Sequence, residues 1–243
     1  NPTLNEPKYY DLATKRNFAL HYSRVHQFKK IGLIDDDILI EKDQVYKAAN
    51  LLNIGSDMVG FYSLQFPDKS TIDLVESIIL GNTLNVSLSG NCLFMNLSHV
   101  KGFFPYIYNE DWVFILSNVE QCKISGIGLV TQLPHRPWKD LSRVKFEQFG
   151  DVFAFGLVKQ RRLQEQGFCS ALSFWDEVLS RYKERLHKLL ELSTDKTEIY
   201  EVLKVASVVV ATYTPQDFVS FVTNYYNEVN TWKYENNSTP QRL

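Results

Sequence analysis

Three sets of side chains in this sequence have types associated with chemistry: a Gly-x-Gly pair at Gly126 and Gly128, five histidines beside three cysteines, and an acidic run at Asp35-Asp36-Asp37. Glycines placed between a strand and a helix can cradle a pyrophosphate on the helix N-terminus. That fingerprint needs a third glycine and a following helix. Here Thr131 stands at the third position, and Pro134 and Pro137 forbid the helix. The pair therefore reads as the joint between two strands. No G-x-x-x-x-G-K-[ST] run occurs, which excludes a P-loop.

His21 and His26 are five apart on one predicted helix, off the i, i+4 spacing of paired metal ligands. His99, His135 and His187 are isolated, and neither H-E-x-x-H nor G-x-S-x-G is present. Cys92, Cys122 and Cys169 form no C-x-x-C pair, so neither a zinc site nor a redox dithiol is expected. Sparse, unpaired cysteines fit a reducing compartment, and the four N-x-[ST] sequons at Asn85, Asn96, Asn236 and Asn237 read as chance there. The acidic run reads as a solvated loop. Neither metal nor cofactor is expected, and an enzymatic site has to be gathered from scattered residues such as His99, Asp111 and Cys122.

Two features bear on nucleic acid. The run "VFAFGLV" has the alternating aromatics of an RNA-stacking strand, but Asp151-Val152 stand where a basic residue and a glycine belong. Lys159, Arg161 and Arg162 follow it as a basic cluster suited to phosphates, or to keeping a loop soluble. A formal net charge of −2 gives no global attraction to nucleic acid.

The elements that must position these residues follow from periodicity. The 243 residues, 44% hydrophobic and 22% charged, suffice for one large domain or two small ones. Residues 1–82 read as helix-rich. The segment "EPKYYDLATKRNFALHYSRVHQFKKIGL" spaces Tyr10, Leu12, Phe18, Leu20, Tyr22, Val25 and Phe28 as a helical stripe, with Gly32 as its C-cap. Further helices are expected at "KDQVYKAANLLNI", stopping at Gly55, and at "KSTIDLVESIIL", between a Ser70 cap and Gly81. Residues 83–233 read as an α+β domain, a mainly antiparallel sheet with packed helices. Its expected strands are a hairpin turning at Gly90-Asn91, then 112–116, 127–133, 151–159 and 167–175. "RPWKDLSRVKFEQFG" is a connection or short helix. "DEVLSRYKERLHKLLELS" is the clearest amphipathic helix. "KTEIYEVLKVASVVVATY" is a helix, or a strand by its β-branched run. A last helix opens with Thr214, Pro215 and Asp217 as cap, first residue and capping-box partner. Residues 234–243 are a polar tail expected to fray. No apolar run reaches the ~20 residues of a membrane span. The chain opens "NPTLNEPKYY" without Met and is expected to be a trimmed piece.

"FILSNVEQCKISGIGLVTQLP" resembles the opening hairpin of a longin-type, upstream-DENN module of the folliculin class. "FAFGLVKQRRLQEQGFCSALSF" is similar to that family's next hairpin, and "DEVLSRYKERLHKLLEL" takes the place of the helix that follows, so the likeness covers about residues 112–192. The resemblance implies a scaffold that pairs with a second longin protein or a small GTPase in membrane traffic or nutrient signalling. It implies a cytoplasmic location with peripheral association on an endomembrane. In activating members, an arginine in L-x-x-R-G-F stabilises the charge that develops during GTP hydrolysis. Here the stretch reads Leu163-Gln164-Glu165-Gln166-Gly167-Phe168, so Gln166 takes the arginine's place. A neutral amide cannot supply that charge. The resemblance thus implies a non-catalytic binding member, with Arg161, Arg162, Gln166 and Phe168 as its partner-contacting residues.

Overall fold

Five strands form one mixed sheet in the order β1-β4-β3-β5-β2, in a computed structural model that describes residues 11–64, 70–81, 88–133, 139–162 and 167–237. They are β1 (Lys30–Ile34), β2 (Ile38–Leu39), β3 (Met58–Leu64), β4 (Leu88–Asn96) and β5 (Ile124–Gln132). β3 and β5 run parallel, and the other three pairings are antiparallel. The helices are α1 (Asp11–Val25), α2 (Lys42–Asn53), α3 (Thr71–Leu80), α4 (Glu110–Asn118), α5 (Leu141–Arg162), α6 (Leu172–Glu191), α7 (Thr197–Ala211) and α8 (Pro215–Asn237). The fold is α+β, as the patterning implies. β1, β2 and β3 precede residue 82 and share their sheet with β4 and β5, which follow it.

Each layer is built on apolar burial. One face of the sheet packs Met58, Leu93 and Met95 against Ala13 and Leu20 of α1 and Phe114 and Ile115 of α4. The other packs Val59, Phe61, Phe94 and Val130 against Ala48 and Leu52 of α2. The remaining helices close around a separate cluster. In it Phe149, Phe218, Trp175 and Phe153 stack in sequence, with ring centroids 4.6, 5.0 and 5.1 Å apart.

Several expected strands are helices. Residues 112–116 lie in α4, whose Glu110 and Asp111 suit the positive end of the helix dipole. A short apolar run carries no period that separates helix from strand. Residues 151–159 lie in α5. Phe153 meets Trp175 and Phe155 meets Tyr182, so both aromatics of the apparent alternation face the same helix, α6. Residues 167–171 are a connection, and α6 begins at Leu172. Trp175 in its first turn donates from Nε1 to the Cys169 carbonyl at 2.8 Å. The two segments compared to longin hairpins are therefore a helix followed by a strand, and the end of one helix followed by the start of the next.

Gly90 and Asn91 lie inside β4, not at a hairpin turn, and residues 82–87 of the expected first arm lie outside those described. Gly126 and Gly128 likewise lie inside one strand. Between the pairs Gly60–Gly126 and Tyr62–Leu129, Phe61 of β3 faces two residues of β5, so the strand bulges. Gly128 has φ +59°, the left-handed conformation that suits a bulge glycine. α1 ends at Val25, with Gln27 at φ +57°, and Gly32 is a β1 residue whose Cβ would strike the Phe94 ring.

Other expectations hold. The Ser70 hydroxyl accepts from the Asp73 amide at 3.2 Å, and Gly81 closes α3 with φ +65°. Asp217 Oδ2 accepts from the Thr214 amide and hydroxyl, each at 2.8 Å. α7 is helical throughout.

Candidate functional site

α1 is amphipathic in an inverted sense. Its buried positions are Ala13, Arg16, Asn17, Leu20 and Ser23. Of the expected helical stripe Leu20 is buried, but Leu12, Phe18, Tyr22 and Val25 are exposed, Phe18 by 66%. Ala13 and Leu20 join the sheet core, while Arg16, Asn17 and Ser23 beside them are buried polar groups, and buried polar groups need hydrogen-bond partners.

Arg16, only 4% exposed, lies at their centre. Its Nη1 donates to Glu110 Oε1 at 2.6 Å. Its Nη2 donates to Asp35 Oδ1 and Oδ2 at 2.9 and 3.1 Å, and to the Gly90 carbonyl at 3.2 Å. The Gly90 amide donates back to Asp111 Oδ2 at 2.5 Å. Position 90 admits only glycine, because a Cβ would overlap Asp111 and sit 2.9 Å from Arg16 Nη1. One guanidinium thus ties α1 to the β1–β2 connection, to β4 and to the N-terminus of α4. The five fixed donors of arginine suit such a junction, whereas a lysine ammonium does not. Burial opposes the Arg16 charge, but Glu110, Asp35 and Asp111 outweigh it and hold the guanidinium's pKa above its ordinary value. The Asp35 carboxyl is pushed upward by burial, against the pull of Arg16, and Asp111 and Asp37 push it the same way. Next to this junction, Asn17 clasps Phe104, donating to its carbonyl and accepting from its amide, both at 2.8 Å.

The outer side of α1 carries a row of rings. Phe18 to Tyr22, Tyr22 to His26 and His26 to Phe28 are 6.0, 4.2 and 6.3 Å apart between centroids. The rings lean on one another along the helix, which makes a ridge of edges more than a set of open faces. Beside it a groove of about 520 Å³ is lined by Asn17, Phe18, His21, Phe103, Tyr106 and Glu228. From residue 12 to residue 34 the chain has no Asp or Glu, while Lys15, Arg24, Lys29 and Lys30 are cationic. The ridge is aromatic and basic.

The residues singled out from sequence are dispersed. Arg161 and Arg162 end α5, and Gln166 lies outside the described residues. Phe168 is 8% exposed, with its ring against Phe153, Tyr225 and Tyr226. Its amide donates to Tyr226 Oη at 2.6 Å. The partner contact expected of Phe168 gives way to a core position. Lys159 of the basic cluster pairs with Glu177 at 2.5 Å and lies over the Phe174 ring. The scattered enzymatic set is divided. His99 Nδ1 bonds to Asp57 and Cys122 Sγ lies 3.6 Å from the His99 carbonyl, but Asp111 belongs to the Arg16 junction. Burial raises the Cys122 thiol to about 11 and the Cys92 thiol to about 12, so neither is a ready thiolate at neutral pH. The acidic run is only partly solvated: Asp36 is exposed, but Asp35 holds Arg16 and Asp37 Oδ2 accepts from Gln132 Nε2 at 3.0 Å. Among the described residues no group of three or more His, Cys, Asp or Glu is arranged to hold a metal ion, and no helix is long and apolar enough to cross a membrane.

Sequence reasoning missed both sides of α1. The helical spacing of the apolar residues does not tell which of them face the core, and nothing in the pattern singles out Arg16 and Asn17. The absence of acid across residues 12–34 was the available signal. Comparison with known proteins finds no matching family, no similar curated protein and no similar solved structure.

Proposed function

We propose that this chain is a non-catalytic protein-interaction module that docks a partner on the outer side of α1. The observation that carries the reading is the ridge of Phe18, Tyr22 and Val25 on α1 with Phe28 just beyond its end, all exposed while Arg16 and Asn17 of the same helix are buried. Aromatic rings are enriched at the centres of protein interfaces, and contiguous exposed apolar surface marks interaction sites. The adjacent groove gives the ridge a concave neighbour, which suits a side chain protruding from a protein partner. The partner implied by the sequence resemblance is a second longin-type chain or a small GTPase, met in the cytoplasm or peripherally on an endomembrane. Gln166 in place of the family's arginine supports binding without stimulation of hydrolysis.

The test is parallel purification, from the native cells, of the tagged chain and of its Phe18→Ser/Tyr22→Ser/Phe28→Ser variant, with identification of co-purifying proteins. The expected result is a longin-type protein or small GTPase that accompanies the parent chain and is lost from the variant. Identical companions in both preparations would remove α1 as the docking surface. Stimulated GTP hydrolysis that disappears in an Arg161→Ala/Arg162→Ala variant would overturn the non-catalytic assignment.

A further inference from the structure

β1 forms one margin of the sheet, with β4 on one side and no strand among the described residues on the other. The direction of its free groups follows from the register. Opposite residues in an antiparallel pair alternate between bonded and non-bonded pairs. The Leu97 amide donates to the Lys29 carbonyl and the Asp35 amide to the Asn91 carbonyl, each at 2.9 Å. The odd residues from 29 to 35 are therefore the ones bonded to β4. Lys30, Gly32 and Ile34 turn their amides and carbonyls outward, and all three residues are exposed. The opposite margin, β2, has only two residues. An open row of backbone donors and acceptors is a template for another strand.

The charges along β1 select which strand that is. The chain enters it through Lys29 and Lys30 and leaves it in a turn at Asp35-Asp36-Asp37, where the Ile38 amide donates to the Asp35 carbonyl. Asp36 is exposed in that turn. In the single chain Lys30 Nζ bonds to Asn53 Oδ1, an exposed contact. A strand with opposite charges at its two ends matches its own copy run in reverse. Centred on Gly32, such a copy sets Lys30 opposite Ile34 and Gly32 opposite Gly32, each pair exchanging two backbone hydrogen bonds. Lys30 then lies diagonally across from Asp36 of the copy, a separation that long side chains span. On the other face, Ile31 stands opposite Leu33 of the copy. Both are half-buried against the core beneath α1 and α4, and the pairing extends that core across the boundary. Gly32 keeps the crossing point clear of side chains, because the Phe94 ring already fills the place of its Cβ. A parallel copy sets lysine beside lysine and aspartate beside aspartate.

We infer that β1 pairs with β1 of a second copy of this chain, antiparallel about Gly32, and joins two five-stranded sheets into one. The pairing is two-fold and uses each β1 once, so it closes at a dimer. The short β2 at each outer margin offers little template for a further strand. This surface is separate from the α1 ridge, and the dimer does not rest on the docking of another protein there.

Sedimentation equilibrium of the whole chain over a range of concentrations tests the pairing. A monomer–dimer equilibrium is expected, strongest at low salt. Lys30→Glu and Asp36→Lys each bring like charges together twice per dimer, and each should weaken association about tenfold at low salt. Both positions are exposed, and the circular dichroism of each variant should match that of the parent chain. Mixed in equal amounts, the two variants restore both attractive contacts, and the mixture should regain the parent affinity. Hydrogen exchange at the Lys30, Gly32 and Ile34 amides should slow as concentration rises. Phe18→Ser should change neither result, which separates this surface from the docking ridge. A chain that stays monomeric at every concentration would overturn the dimer, as would a mixture that associates no more tightly than either variant alone. Slowed exchange at those three amides only when a different protein is added would give the edge to that protein instead.

Discussion

α6 and α1 bury opposite kinds of surface. α6 turns Trp175, Val178, Leu179, Tyr182, Leu186 and Leu189 inward and its charges outward, apart from Arg185, which pairs with Asp73 and Glu76 of α3. α1 turns Arg16 and Asn17 inward and Phe18, Tyr22 and Val25 outward. A helix held by apolar burial uses its apolar side for the fold. α1, held by a buried guanidinium and an amide clasp as well as by Ala13 and Leu20, leaves Phe18, Tyr22 and Val25 for something else. That contrast underlies the assignment of α1 to recognition, and it can be broken at either helix.

The largest effect is expected at Arg16. Arg16→Leu leaves Glu110 and Asp35 buried without their counter-charge, and removing one partner of a buried ion pair costs about 3–5 kcal/mol. Urea unfolding at neutral pH reads that loss directly. Trp175→Ala in α6, a loss of packing together with the Nε1 bond to the Cys169 carbonyl, should cost about as much, some 3–5 kcal/mol. If Arg16→Leu costs under about 1 kcal/mol, comparable to an exposed ion pair, α1 is not held by its polar side. Asn17→Ala should cost about 1–3 kcal/mol, because it strands the amide and carbonyl of Phe104 in a buried place.

The same contrast explains what the sequence revealed. α6, α7 and the caps of α3 and α8 were legible because their signals are local: a 3.6-residue stripe, a serine or threonine before it, a glycine after it. β3 was missed because Met58, Val59 and Phe61 are buried on both faces of the sheet, so its run lacks the alternation of a half-exposed strand. β1 was absorbed into the helix before it, for "FKKIGL" continues an apolar pattern and only the pairing with β4 gives it a partner. The phenylalanines of α5 alternate by accident of spacing on a helix. The Arg16 junction was illegible because its members come from four separate elements, and no spacing in the chain announces that Arg16, Asp35, Gly90 and Glu110 meet. The ridge was half legible. Its residues were found, but the direction they face depends on that junction.

A smaller effect, visible in pH rather than in total stability, is expected on the α6 side. Behind Tyr182, α5 buries Glu147 and Asp151 one turn apart. Glu147 has partners for both oxygens, Arg143 and the Thr71 amide. Asp151 Oδ1 accepts from Asn109 Nδ2 at 3.1 Å. Burial first, then the charges of Glu147 and Asp73, push the Asp151 carboxyl well above its model-compound value of 3.8, against the smaller pull of the Ser70 hydroxyl and Arg185. With its folded pKa raised, the folded state holds this proton where the unfolded state has released it. The stability it contributes is full below pH 3.8 and is lost as pH rises through the folded value. Asp151→Asn should remove that downward slope and leave the mutant relatively more stable at neutral pH. Stability curves of the two proteins that stay parallel from acid to neutral pH would show that Asp151 is ionised in the fold.

The smallest effect is the most discriminating for α1. Phe18→Ser removes the most exposed ring of the ridge, and surface substitutions away from special features change stability by no more than about 0.5 kcal/mol. The matched change in α6, Leu186→Ser, removes a residue that is 1% exposed and places a hydroxyl in the aromatic core, a loss of at least about 2 kcal/mol. Thermal unfolding of both variants compares the helices on one scale. A near-silent Phe18→Ser beside a strongly destabilised Leu186→Ser means that the ring contributes to something other than the fold of the isolated chain. A Phe18→Ser loss as large as that of Leu186→Ser means that the ridge is covered within the protein itself, and α1 would then bury both of its sides.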